Sequence, residues 1–116
     1  MAKIYVSSNE VERAKKVMES LISAGHTITF DWTLDIETET ENSKTTKPLR
    51  EREAIRECDV LIYLWKENQE SARFEAGMAM GLGKRIIVVA PHKAWFFALP
   101  EVMQIDSDHQ IVTAIL

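Results

Sequence analysis

A chain of 116 residues, 46% hydrophobic and 28% charged, has the composition of a soluble globular protein and the length of one small domain over 1–116. Its formal charge of −4 and pI near 5.4 argue against binding a nucleic-acid polymer, whose backbone calls for a basic surface. No apolar run approaches the roughly 20 residues of a membrane span, and the single Cys58 leaves no intrachain disulfide, so a reducing, cytoplasmic setting is expected.

Met1 to Val6 carries no signal-peptide pattern and leads into a β-prone run, Ile4-Tyr5-Val6. Ser7-Ser8-Asn9 bounds it with turn and N-cap residues. Val11, Ala14, Met18, Leu21 and Ile22 then recur at helical spacing, with Gly25 as the stop. Thr27 to Phe30 alternates and predicts a second strand, with Asp31-Trp32-Thr33 at its end. Residues 34–47 are polar and acid-rich without a periodic apolar face. They predict a surface loop of about a dozen residues, either a lid or a solvated connector. Pro48 is placed to open a helix at its first turn, with Ala54, Ile55 and Cys58 on one side.

Val60 to Leu64 is a continuous apolar run, the pattern of a parallel strand covered on both faces. A polar loop leads to a helix over 72–83, rich in Ala, Gly and Met and closed by Gly81 and Gly83. Ile86 to Val89 predicts the fourth strand. Pro91 breaks the chain, and Ala94 to Leu99 predicts a short helical turn bearing Trp95, Phe96 and Phe97. A last strand near Met103–Ile105 precedes a C-terminal helix capped by Ser107 or Asp108, with Ile111, Val112 and Ile115 inward.

Strands alternating with helices predict an α/β fold: a flavodoxin-like (Rossmann-like) three-layer sandwich with a five-stranded parallel sheet in the order 2-1-3-4-5. Such sheets bind ligands outside the carboxyl ends of their strands, at the switch between strands 1 and 3. That rim gathers Ser7, Ser8 and Asn9, then Asp31 to Thr33, then Trp65 to Glu75, then Pro91 and His92.

Glu75 falls near the start of its helix, where partial positive charge favours an ionised carboxylate. A carboxylate at the mouth of a cleft is suited to attack on a sugar carbon, although Glu is also common in first turns. Glu51 faces either the rim or solvent. Trp32 and Trp65 are placed to stack on a nucleobase or simply to pack. Ser71 and Arg73 offer donors to a phosphate, or Arg73 pairs with a loop carboxylate. Asp59 precedes its strand at the far end and reads as structural. His26, His92 and His109 have no Cys at metal spacing, so neither a metal site nor a cofactor is expected. Gly81-Leu82-Gly83-Lys84 closes a helix, unlike a dinucleotide fingerprint or a P-loop. Trp95-Phe96-Phe97 is a candidate contact patch for another protein.

The segment Phe74-Glu75-Ala76-Gly77-Met78-Ala79-Met80-Gly81-Leu82-Gly83-Lys84 resembles the nucleoside 2-deoxyribosyltransferase family, which includes the 2'-deoxynucleoside 5'-phosphate N-hydrolases. Cys58-Asp59-Val60-Leu61-Ile62 and Lys3-Ile4-Tyr5-Val6 look like its strand starts. The resemblance implies that Glu75 is the nucleophile, attacking the anomeric carbon of a 2-deoxyribosyl group and releasing the base. Water or a second base then takes the sugar, the logic of a retaining glycosidase. Glu51 stands where the family usually has Asp, eight residues before Asp59, and is implied to be an acid or orienting group. Ser71-Ala72-Arg73 replaces the Gly-x-Gly of the family's loop. Ser7, Ser8, Ser71 and Arg73 are then implied to hold sugar or phosphate, with Asp31, Trp32 and Trp65 around the rest of a nucleoside or nucleotide. The family also implies a homo-oligomer. Arg73 tilts the expectation toward an anionic substrate and hydrolysis. The alternative is a nucleotide-binding module of the same fold without turnover.

Overall fold

Alternation along the strands decides how the sheet is clothed, because successive side chains point to opposite faces. The structure, a computed structural model, describes residues 1–34 and 41–116, the side chains of 41–45 excepted. Its strands are β1 (Lys3–Ser7), β2 (Thr27–Ile28), β3 (Val60–Leu64), β4 (Arg85–Val89) and β5 (Val102–Ile105). Its helices are α1 (Val11–Ser23), α2 (Glu41–Glu57), α3 (Ser71–Gly81) and α4 (Ile111–Ile115), and single 3-10 turns cover Trp32–Leu34, Trp95–Ala98 and Asp108–Gln110. All neighbouring strands pair in parallel, in the order β2-β1-β3-β4-β5. This is the flavodoxin-like arrangement expected from the strand–helix alternation.

Ile4, Val6, Ile62, Leu64, Ile87 and Val89 face α1 and α4, where they meet Val17, Met18, Leu21 and Ile111. Tyr5, Leu61, Tyr63, Ile86 and Val88 face α2 and α3, where they meet Ile55, Ala72, Ala76 and Ala79. β3 lies in the middle of the sheet and is buried along its whole length, which accounts for its unbroken apolar run. The three alanines of α3 are small enough to let that helix lie close on the sheet.

Several boundaries differ from expectation. The predicted loop over 34–47 is helical from Glu41 onward, so Pro48 lies inside α2 instead of opening it. The early turns of α2 carry no apolar stripe, so periodicity gave no sign of them, and Pro48 costs the helix one backbone donor without ending it. The rest of the supposed lid, residues 35–40, lies outside the described residues. The second strand keeps only Thr27 and Ile28 in register, on the sheet edge. Ile22, inward by spacing, is exposed. α1 starts after Glu10, whose backbone N–H donates to Ser8 Oγ at 2.9 Å. Gly25 adopts φ 94° just past α1, a left-handed stop that suits glycine. Ser107 and Gln110 form the reciprocal capping box before α4.

Candidate active site

Two hydroxyls and two carboxyls meet where β1 runs under α3. Tyr5 and Ser7 are two residues apart on β1, so both point to the α3 face. Tyr5 Oη donates to Glu75 Oε2 at 2.8 Å. Ser7 Oγ lies 2.7 Å from Glu75 Oε1 and 3.3 Å from the carbonyl of Ala72. Glu75 is only 7% exposed. Burial, the largest influence, disfavours its charge. The Glu51 carboxyl on α2 adds to this by hydrogen bonding and repulsion, while the Ser7 and Tyr5 hydroxyls oppose it. The result lifts the Glu75 pKa to about 8. The charge-favouring helix terminus read from the sequence is therefore outweighed. α3 begins at Ser71, which puts Glu75 beyond the first turn.

The Ser7 hydroxyl has one proton and two acceptors within reach, and Glu75 Oε1 at 2.7 Å is nearer than Ala72 O at 3.3 Å. The Tyr5 phenol is pushed well above its ordinary range by burial first and by the Glu75 and Glu51 charges next, so it stays a donor.

The structure thus brings together Glu75, Glu51 and Ser7 from the expected set. It adds Tyr5, which sequence reasoning passed over as a strand residue although its spacing to Ser7 already put both on one face. The remaining candidates stand elsewhere. Trp32 Nε1 donates to Val6 O at 2.7 Å, which pins the indole at the end of β1. Asp31 Oδ1 accepts from the backbone N–H and the hydroxyl of Thr33, holding a local turn. Ser8 Oγ accepts from the Glu10 N–H in the turn before α1. Ser71 is exposed at the first position of α3. Arg73 Nη2 donates to Glu67 O at 2.8 Å, and Arg73 and Trp65 line a groove of about 440 Å³ beside the Trp95–Ala98 turn that is distinct from the Glu75 cluster. The Trp65 ring packs edge-on against His92, with centroids 4.3 Å apart.

Gln69 was also missed, since a lone Gln in a polar loop sends no signal. It is buried and locks the β3–α3 connection. Its Oε1 accepts from Tyr63 Oη at 3.1 Å and from the Lys66 N–H at 3.0 Å, and its Nε2 donates to Leu64 O at 2.9 Å and Asn9 Oδ1 at 3.2 Å. Asp59 Oδ2 accepts from Lys3 N–H at 2.9 Å at the opposite end of the sheet. Cys58 is buried, and burial pushes its thiol pKa up, which disfavours the thiolate. A larger cleft of about 840 Å³ is lined by α1 and α4 residues such as Arg13 and Ile111, on the face of the sheet away from Glu75. Among the described residues no three His, Cys, Asp or Glu side chains are grouped to hold a metal ion, and no helix is long and apolar enough to cross a membrane.

No family model and no curated protein matches the chain. Solved structures do. A CMP N-glycosidase from Clostridium botulinum superposes with a TM-score of 0.67 at 19% identity, covering 97% of each chain. A 2-deoxyribosyltransferase from Bacillus psychrosaccharolyticus gives 0.70 at 20% identity, over 96% of this chain and 90% of the other. A conserved protein from Enterococcus faecalis V583 gives 0.74 at 11% identity, over 99% and 97%. At these identities the likeness carries the fold. The first two are of the kind that the resemblance at Glu75 points to.

Proposed function

We propose that the protein cleaves the N-glycosidic bond of a 2'-deoxynucleoside or its 5'-monophosphate, with Glu75 as nucleophile and Glu51 as proton donor to the departing base. The observation that carries this reading is the carboxyl pair. Glu75 is held from β1 by two hydroxyls and faced by Glu51 at the carboxyl edge of a parallel sheet. Solved proteins of the same fold with N-glycosidase and deoxyribosyltransferase activities support glycosyl chemistry on a nucleoside.

In the resting pair one proton sits on Glu75. Substrate binding shifts it to Glu51, leaving Glu75 ionised. Glu51 then protonates the base as its bond to C1' breaks, and Glu75 forms an ester to C1' through an oxocarbenium-like transition state. Water or a second base next attacks C1', with Glu51 taking the proton from the incoming group, and Glu75 is released. Tyr5 and Ser7 hold the carboxylate in line and stabilise its charge when the proton leaves. A cytoplasmic homo-oligomer is the setting that fits this chemistry and the buried thiol of Cys58.

A second reading, binding without turnover, draws on the same proton, because a neutral carboxyl is no nucleophile. One assay separates the two. The protein is incubated with a panel of deoxynucleosides and their monophosphates, and free base is measured by chromatography. Base release is expected, falling at least about 10³-fold in Glu75→Gln. Release that survives Glu75→Ala contradicts the nucleophile. Tight binding of one compound without release establishes the module. Adding a second free base distinguishes transfer from hydrolysis.

A further inference from the structure

The groove between α3 and the Trp95–Ala98 turn has no part in the carboxylate cluster. Its volume, about 440 Å³, falls in the roughly 300–1,000 Å³ range of small-molecule sites. α3 contributes Arg73, Ala76, Gly77 and Met80, the spacing that puts four residues on one helix face. Glu75 lies about 200° round the helix from Arg73, turned to Tyr5 and Ser7. Arg73 and Met80 stand about 10 Å apart along the axis, so the groove has a cationic end and an apolar end. Between them the helix is cut down to Ala and Gly. A Cβ at Gly77 meets nothing within 4 Å, so the chain's own packing does not call for glycine, which weakens a helix interior. Across the groove Trp95 is 91% exposed and Phe96 64%. Trp65 and Phe97 are tied together through the His92 ring, with centroids 4.3 and 6.5 Å from it.

We propose that this groove binds a small aromatic anion, a flat ring system with a carboxylate or phosphate on or next to the ring, at a site separate from Glu75. The ring lies against the cut-down face of α3 and packs offset or edge-on with the aromatic wall. Met80 adds the sulfur contact that ring edges favour. The anion goes to Arg73, the one charged residue lining the groove among the described residues. Its guanidinium is already positioned, since Nη2 donates to Glu67 O at 2.8 Å. Burial pushes the Tyr63 phenol pKa up and the nearby Arg73 guanidinium opposes it, which puts that cation at the groove wall. Among the described residues no carboxylate pairs with Arg73. A guanidinium has five N–H donors, so donors remain for an oxyanion, which it grips in a fork. The start of α3, two residues earlier, adds partial positive charge. The distance from Arg73 to Met80 suits one or two fused rings with a short acidic arm.

Three probes of one shape test this on the full chain: 1-naphthoate, 1-naphthyl phosphate and the neutral 1-naphthalenemethanol, titrated into labelled protein and followed by two-dimensional NMR. The Trp65 and Trp95 indole N–H signals and the Gly77 amide are expected to move saturably. The Trp32 indole, bonded to Val6 O, is expected to stay. The better acid, which names the anion, is expected to bind at least about tenfold more tightly than the alcohol. Arg73→Gln is expected to remove that advantage and leave the alcohol unchanged. Gly77→Leu, on helical backbone with open space, fills the trough and is expected to weaken every probe at least about tenfold while the circular dichroism spectrum stays native. Trp95→Ala removes an exposed ring without touching the core and is expected to weaken the probes as well. No saturable shift from either acid overturns the proposal. So does an alcohol that binds as tightly as both acids, binding that survives Gly77→Leu and Trp95→Ala, or shifts confined to Trp32. A Trp95 signal that follows protein concentration but no probe assigns the groove to a second copy and overturns it too. Base release plays no part in this readout, so it stands or falls apart from the chemistry at Glu75.

Discussion

At the level of single residues, the surroundings of Glu75 make it a weak acid. Its pKa of about 8 exceeds the roughly 4.3 of an unfolded glutamate. Between those values the folded chain holds a proton that the unfolded chain has lost. Stability therefore falls as pH rises through that window and levels off above it. Glu75→Gln keeps the shape and a hydrogen-bonding head but cannot ionise. It is expected to raise unfolding stability at pH 8 by on the order of 4 kcal/mol, with the gain disappearing toward pH 4. Urea unfolding at the two pH values measures this, and a gain independent of pH would contradict the protonated Glu75. The same residue shows what sequence reading can reach. The spacing and the family-like segment single out Glu75 as a candidate, but nothing in the string states that Tyr5 and Ser7 close over it, because that depends on how far α3 sinks onto the sheet. Ser7 is fully buried against Glu75.

At the level of elements, Gln69 braces the β3–α3 connection from within. Gln69 makes four hydrogen bonds from a buried position, and truncating it leaves the Tyr63 hydroxyl, the Lys66 N–H and the Leu64 carbonyl short of a partner. Gln69→Ala is expected to cost about 2–4 kcal/mol, measured by chemical denaturation, with faster amide exchange over residues 65–70. A loss below about 0.5 kcal/mol would mean that water replaces the side chain without penalty. The strands and α3 were legible because their apolar runs are bounded by Gly, Pro and polar turns. The start of α2 was not, because its first turns present no apolar stripe and Pro48 imitates an opening residue. The second strand was overread, since Thr29 still donates to Ile4 O at 2.9 Å although the paired register ends at Ile28.

At the level of the whole molecule, one chain of charges crosses the carboxyl edge of the sheet. Arg13 on α1 forms a bidentate pair with Asp108, Nε and Nη2 each 2.8 Å from its carboxylate oxygens, and it reaches Glu10 at 3.0 Å. Glu10 in turn takes Lys66 from the β3–α3 loop at 3.0 Å. Lys66 and Arg13 hold the Glu10 carboxyl below its ordinary range. Arg13→Ala is expected to cost about 1–2 kcal/mol, read by thermal unfolding, and to loosen α4 in hydrogen exchange, since Asp108 anchors the turn before it. An unchanged melting temperature would reduce the chain to surface decoration. The carboxylate cluster has an even longer span: the bond from Tyr5 to Glu75 joins positions separated by 70 in sequence. Closing a contact of that range comes late, after the local helices and the strand pairs that shorten it. A growing polypeptide therefore carries no assembled centre until α3 has been synthesised and has docked. A fragment ending before residue 75 leaves Tyr5 and Ser7 without the carboxyl they bond in the folded chain.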